Sequence, residues 1–209
     1  DYDNAIATCT LFSKLYPTST YADDALMRIG IAKAEIGNPD EAVQIFQKIL
    51  ALPNSSARAE AQFRIAESYF DRAQKAAMMD QTAAATLYRT KAMQEYRVCA
   101  DRFAQSEFAG RSLARLVDYH VETKDYAQAD DLLNQIFQDY PDASFLDSML
   151  LKWVIVCFKM GNYEKAYEKC MQLLFEYPDS DFAEQAKKIQ PRLEARVKGA
   201  GAGGGGSNE

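Results

Sequence analysis

An all-α stack of antiparallel helix hairpins is the architecture that this 209-residue sequence predicts. Three observations lead there. The segment from Tyr2 to Ser19 returns near the other end as Tyr163 to Ser180, in register and without a gap, so that Tyr2, Ala5, Cys9, Tyr16, Pro17 and Ser19 meet Tyr163, Ala166, Cys170, Tyr177, Pro178 and Ser180. The closing phrase of that segment recurs, and its Pro17, Pro53, Ala104, Pro141 and Pro178 stand 36, 51, 37 and 37 residues apart. A period in the thirties belongs to stacked supersecondary units, each burying its face on its neighbours. No stretch alternates apolar and polar residues over a useful length, so strand signals are lacking.

The elements follow in order. Residues 1–19 read as a half repeat, the second helix of a hairpin whose first helix is missing; without an initiator Met or signal peptide, the chain reads as a trimmed piece of a longer protein. Repeats follow at about 20–56, 57–107, 108–144 and 145–180. Between Tyr21 and Ile36, apolar Tyr21, Ala25, Leu26, Ile29 and Ala32 keep helical spacing. Gly37 then supplies a left-handed cap and Pro39 suits the first turn of a second helix carrying Ala42, Ile45, Phe46 and Ile49. Gly161 separates two helices in the same way. The 57–107 interval is longer by about four helical turns, and 73–86 holds good helix formers without Gly or Pro. Both helices of that hairpin are therefore expected to grow by about two turns, with Asp80-Gln81-Thr82 at the tip and Asp80 or Thr82 as its cap. Met78 and Met79 near the tip suit either an adaptable docking element or a passive extension. A closing helix is expected over 181–197, kinked or ended by Pro191. Residues 198–209 have the composition of a flexible linker.

Small residues recur where two helices must approach: Ala5, Ala42, Ala92, Ala129 and Ala166, each followed four residues later by Cys9, Phe46, Tyr96, Leu133 or Cys170. This is a packing pattern, small against large across a hairpin. Cys9, Cys99, Cys157 and Cys170 form no C-x-x-C pair and read as free core thiols. Cys157 and Cys170 are the only pair near enough in the repeat to consider bridging, and helix geometry disfavours it.

The order Leu26-x-x-Ile29-Gly30, Ala42-x-x-x-Phe46, Pro53 resembles the tetratricopeptide repeat. Weaker copies follow with Gln62, Ile65, Ala66 and Tyr69; with Leu113, Leu116, Val117 and His120; and with Leu150, Trp153, Val154 and Cys157. Lys33 replaces the usual aromatic, and the glycine is lost in later copies. Coverage runs from about residue 2 to 190, which implies a right-handed α-solenoid. The phrase Tyr-Pro-x-Ser-x-aromatic-Ala, at Tyr16 to Ala22 and Tyr177 to Ala183, resembles bacterial envelope repeat proteins of the Tol-Pal-associated YbgF and outer-membrane-assembly lipoprotein BamD types. That resemblance implies binding of other envelope proteins, no catalysis, and a periplasmic or outer-membrane-associated location; a cytoplasmic one is left open.

Function is expected in the concave face lined by first helices. The helical register assigns to it Met27, Ile31, Ala34 and Glu35; Phe63, Glu67, Phe70 and Asp71; Arg111, Ala114, Asp118 and Val121; and Leu151, Ile155, Phe158 and Lys159. Met27, Ile31, Phe63, Glu67, Phe70, Asp118, Leu151, Ile155 and Phe158 are the candidate partner-binding residues. Apolar and acidic, they suit a peptide with apolar anchors and some basic residues. Arg28, Arg64, Arg115 and Lys152 share one register, as a ladder for acidic groups or, in the reading favoured here, as local pairs.

Other classes find little support. The net charge of −6 argues against a general nucleic-acid surface, and no apolar run is long enough to span a membrane. The acids Asp118, Glu122, Asp125, Asp130, Asp131, Asp139, Asp142 and Asp147 face Lys124 alone and read as a solvated surface. His120, the single histidine, falls in the packing register of Tyr69 and Cys157. The acid pairs Asp23-Asp24 and Asp130-Asp131 point different ways, and no glycine loop for phosphate exists. The sequence thus predicts a protein-protein interaction scaffold for a peptide or protein segment: not an enzyme, with no cofactor or metal. The alternative is a self-association or regulatory module of a larger protein whose catalytic domain lies elsewhere.

Overall fold

The computed structural model describes residues 1–16, 19 and 21–202, the last three as backbone only. They form helices and no strand: α1 (Tyr2–Leu15), α2 (Ala22–Glu35), α3 (Pro39–Leu50), α4 (Arg58–Met78), α5 (Thr82–Arg102), α6 (Glu107–Glu122), α7 (Tyr126–Asp139), α8 (Leu146–Lys159), α9 (Tyr163–Glu176) and α10 (Asp181–Ala202). The chain divides into two compact units, Asp1–Arg115 and Leu116–Glu209, and the division falls within α6.

One turn design builds the hairpins. Gly37, Asp80, Lys124 and Gly161 all adopt positive φ, at 87°, 58°, 62° and 79°. The next residue then returns its N–H across the helix end: Asn38 to the Lys33 carbonyl at 2.9 Å, Gln81 to Ala76 at 2.9 Å, Asp125 to His120 at 2.8 Å and Asn162 to Cys157 at 2.9 Å. This satisfies carbonyls that a helix end leaves open. Glycine announces the turn at 37 and 161; Asp80 and Lys124 make it without that signal. The tip of the long hairpin also differs from expectation, because neither Asp80 nor Thr82 caps α5: Gln81 holds the cap position, without a side-chain bond.

The connections between hairpins use serine. Ser55 Oγ accepts from the Ala57 N–H at 3.1 Å and donates to Asp23 at 2.6 Å; Ser180 Oγ accepts from the Phe182 N–H at 3.1 Å and donates to Asp147 at 2.7 Å. The recurring serine therefore organises the loop and ties it to the first helix of the hairpin it closes. Pro17, which belongs to the same phrase, lies outside the described residues; α1 ends at Leu15.

In unit 1, α2 packs on α1 and α3, α3 on α4, and α4 lies along α5. Met27, Ala42, Val43, Phe46, Ile49, Ala61 and Ile65 make one continuous core. α4 and α5 have 21 residues each against 14 in α2, α7, α8 and α9, the two additional turns that the long interval predicts. α1 is the exception to the packing pattern. It buries no residue, its Ala5 is exposed, and Leu11, Leu15 and Tyr16 stand open. In unit 2, α8 packs on α7, α9 and α10, around Leu150, Trp153, Val154, Leu173 and Leu193. α10 runs through Pro191 to Ala202, five residues into the expected linker. Pro191 and Lys187 are both exposed, so the carbonyl left unpaired by the proline meets water. The rest of the linker, 203–209, lies outside the described residues.

Hairpin closure explains the lost glycine. A Cβ on Gly30 would overlap the Phe46 ring, so only glycine fits opposite that phenylalanine. In the same two registers the later repeats carry Ala66 with Tyr96, Val117 with Leu133 and Val154 with Cys170, all buried. Where the first-helix residue gains a Cβ or a branch, as at Val117 and Val154, its partner is a smaller Leu133 or Cys170 instead of an aromatic ring. Gly30→Ala is therefore expected to cost about 1–3 kcal/mol by overpacking, and Phe46→Leu in that background to recover part of it, read by thermal denaturation. At Lys124, relief of the left-handed backbone by Lys124→Gly should stabilise by about 0.5–1 kcal/mol in the same assay.

Candidate functional site

The nine expected partner-binding residues fall into two groups, one in each unit. In unit 1, Met27 and Phe63 are 5% and 8% exposed. Met27 belongs to the core around Phe46, Ile31 packs against that core, and Phe63 lies 5.8 Å from each of the Tyr96 and Phe108 rings. These three serve packing rather than pointing into water, because their register also faces the neighbouring repeat.

Glu67 is the electrostatic centre of this unit. Its carboxylate accepts from Arg115 Nε and Nη2, both at 2.9 Å, and from the Tyr96 hydroxyl. A two-pronged guanidinium bond of this kind fixes direction as well as charge. Burial, reinforced by the Glu67 carboxylate, pushes the Tyr96 phenol well above its ordinary range and keeps it a donor. The Arg115 guanidinium also lies over the half-buried Phe70 ring at 5.3 Å. Beside it, the residue Asp71 is exposed as a whole but its carboxyl is partly shielded from water, which raises it, as do Glu67 and Glu35, against the opposing pull of Lys75 and Arg115. Phe70 thus sits beside a negative patch.

In unit 2, Lys152 pairs with Asp118, and Leu151 is buried at 8% exposure. Ile155 is 41% exposed, a large apolar side chain left open on a first helix. It borders a cavity of about 120 Å³ lined by Val154, Ile155, Phe158, Ile189, Arg192 and Leu193, between α8 and α10. Arg192 lies over the Phe158 ring at 5.1 Å.

The ladder of basic residues accounts for this cavity. Arg64 pairs with Glu60 on its own helix, Arg115 reaches Glu67 on α4, and Lys152 reaches Asp118 on α6. Three of the four thus pair locally, as the favoured reading had it, while Arg28 is exposed and in no ion pair among the described residues. Glu67 and Asp118 occupy equivalent registers, and the next member of their series is Ile155. The residue that follows Arg115 and Lys152 in register is Ile189. Where the α4–α6 and α6–α8 steps join two first helices by an ion pair, the α8–α10 step sets isoleucine against isoleucine and leaves space.

Much of the acidic segment is structural. Asp125 caps α7 at the Gln128 N–H and contacts His120 Nδ1 at 3.2 Å; His120 also packs edge-on against Tyr119. Asp130 accepts from Trp153 Nε1 at 2.6 Å and from Lys165 Nζ at 2.7 and 2.8 Å, joining α7, α8 and α9. Burial disfavours its charge, but the Lys165 and Trp153 hydrogen bonds prevail and hold its carboxyl below the ordinary carboxylate value. Asp131 and Asp24, the neighbours in the two acid pairs, lie outside that network. The four cysteines are free: Cys99, Cys157 and Cys170 are buried and Cys9 half-buried. Burial, followed by the Asp130 charge, pushes the Cys157 thiol up to about 12, far from a reactive thiolate. Among the described residues no group of three or more His, Cys, Asp or Glu could hold a metal ion, and no helix is long and apolar enough to cross a membrane.

Helix hairpins joined by a shared turn and by local ion pairs define a helical-repeat fold. Comparison finds a known repeat in two stretches of the chain. Residues 24–55 and 109–143 match the tetratricopeptide repeat. A thermophilic TPR protein from Thermus thermophilus is similar in structure, with a TM-score of 0.55 at 13% identity over 94% of this chain and 90% of that one. BtubC (BKLC) from P. vanneervenii gives 0.58 at 10% identity over 100% and 92%. These likenesses show the fold, a TPR-like α-solenoid, and together with the repeat matches they support a TPR protein. No curated protein matches the chain in sequence.

The depressed Asp130 carboxyl has a measurable consequence. Its contribution to stability is complete above the unfolded carboxylate value, about 4, and is lost as pH falls through the lower folded value. Asp130→Asn should cost about 1–3 kcal/mol at neutral pH and flatten the acid limb of thermal stability, so that wild type and variant converge at low pH.

Proposed function

We propose that the chain is a non-catalytic protein-protein interaction scaffold that holds a peptide or protein segment on the exposed faces of its first helices. The observation that carries this reading is the apolar cavity beside Ile155. An isoleucine 41% exposed at the mouth of such a cavity leaves apolar surface in water that a partner's side chain would cover. The Phe70 patch of unit 1 supports it independently. Glu35, Glu67 and Asp71 stand there with Arg115 and Lys75, three acids to two bases, which suits a partner segment with basic residues. An envelope location, in the periplasm or at the outer membrane, rests on the resemblance of the Tyr16 to Ala22 and Tyr177 to Ala183 phrases. Fractionation of the source cell, with the protein found only in the cytoplasm, would remove it.

Self-association is a second reading, favoured by α1, whose Leu11, Leu15 and Tyr16 are 57%, 61% and 57% exposed. Sedimentation that stays monomeric at high concentration would exclude it.

Photo-crosslinking in the native cell, with probes at Phe70 and Ile155 and a control at Met79, tests the scaffold. The expected result is capture of a defined protein from Phe70, Ile155 or both. Capture from Met79 alone would transfer the function to the projecting hairpin.

A further inference from the structure

We propose that the α8–α10 cavity is a pocket for an apolar side chain of an acidic peptide segment, gripped by Arg192 and Arg196. The inference rests on the scaffold reading and adds the chemistry of the partner.

Three observations carry it. The cavity walls are apolar apart from Arg192: Val154, Ile155, Phe158, Ile189 and Leu193 supply the rest. A cavity of about 120 Å³ takes a branched aliphatic or similar side chain, not an extended cofactor. Second, the rim is positive. Arg192 and Arg196 stand four residues apart on α10, hence on one face of it. The first lies 5.1 Å over the Phe158 ring and the second 5.6 Å over the Tyr163 ring, while those two rings contact each other at 5.4 Å. Stacking holds both guanidinium planes while leaving their N–H edges open to donate to carboxylates.

Third, Arg192 and Arg196 stand over aromatic rings without an acidic partner among the described residues, whereas many cations of the fold are paired. Arg64, Arg72, Arg111, Arg115, Lys152 and Lys165 each meet an acidic side chain. Among the described residues, neither Arg192 nor Arg196 is in an ion pair. Two positive charges without a carboxylate, in a chain of net charge −6, are a local reversal of sign. Lys159, exposed and next to Phe158, adds to it. The ladder explains how the site came to be apolar inside and basic outside. In the register where Glu67 and Asp118 meet Arg115 and Lys152, this step has Ile155 against Ile189, and Arg192 stands one turn further along α10. The acid missing from the fold is the group that a partner brings.

Apolar contact inside and carboxylates at the rim together specify a leucine-like residue flanked by Asp or Glu. A purely electrostatic ligand would leave the cavity empty, and a basic segment would meet two guanidiniums.

The test uses the full chain and three synthetic peptides: one leucine flanked on both sides by glutamates, the same with lysines, and the glutamate peptide with serine in place of leucine. Binding is followed by fluorescence anisotropy, and the site by methyl NMR shifts of Ile155 and Ile189. The glutamate–leucine peptide should bind, shift both isoleucines and weaken with added salt. Arg192→Glu with Arg196→Glu should weaken it by at least about tenfold and invert the preference toward the lysine peptide, while leaving thermal stability unchanged. Equal or better binding of the lysine peptide to wild type would overturn the acidic partner while leaving the scaffold reading intact. Equal binding of the serine peptide would overturn the pocket. Absence of any shift at Ile155 and Ile189 would overturn both parts of this inference, and the crosslinking from Phe70 would still decide the scaffold separately.

Discussion

The distance of closest approach within a hairpin is the constraint on which each repeat depends. Two helices close only if the side chains that meet between them fit together, and a bulky residue on one helix requires a small one on the other. Gly30 with Phe46 is the extreme case and Val154 with Cys170 the opposite one. Upon that closure are set the left-handed residue that reverses the chain and the serine that fastens the next loop. Because different residue pairs can meet this requirement, the repeats can diverge in sequence while keeping their spacing.

Ion pairing along the first helices has the opposite character. It is local, partly solvent-exposed and of small individual weight, yet it decides which surface is already satisfied and which is open. Glu67 with Arg115 and Asp118 with Lys152 occupy surface that would otherwise be available to a ligand. The place at which this series stops, Ile155 and Ile189, is therefore more informative about binding than the acids themselves. Acidic residues in the 118–147 segment illustrate the same point from the other side. Asp125, Asp130 and Asp147 are committed to a cap, a Trp153–Lys165 network and a loop serine, so their charge is largely used within the fold.

Helix existence, the repeat period and the elongated hairpin were legible because periodicity and spacing report them directly. Turn positions were legible only where glycine marks them. Asp80 and Lys124 adopt the same backbone as Gly37 and Gly161 because the surrounding hairpin imposes it, and no residue preference announces that. Side-chain direction was the least legible feature. Register alone places Met27, Phe63 and Leu151 on the face of a first helix, but a neighbouring repeat packs against the edge of that face and buries them, whereas Ile155 in the same kind of position stays open. Arg192 and Arg196 carry no such signal, because the helix expected over 181–197 reads only as a cover for the last repeat.

The long α4–α5 hairpin has a consequence of its own. Its outer turns carry Met78 at 84% and Met79 at 67% exposure, and the last buried residue of α4 before the tip is Ala76. Two alanine-rich lengths of helix held chiefly to one another form a cooperative unit weaker than the body of unit 1. The tip can therefore open, be cut or accept inserted residues with little penalty to the core beneath it, which makes it the natural place in this chain for evolution, or an engineer, to graft a new sequence.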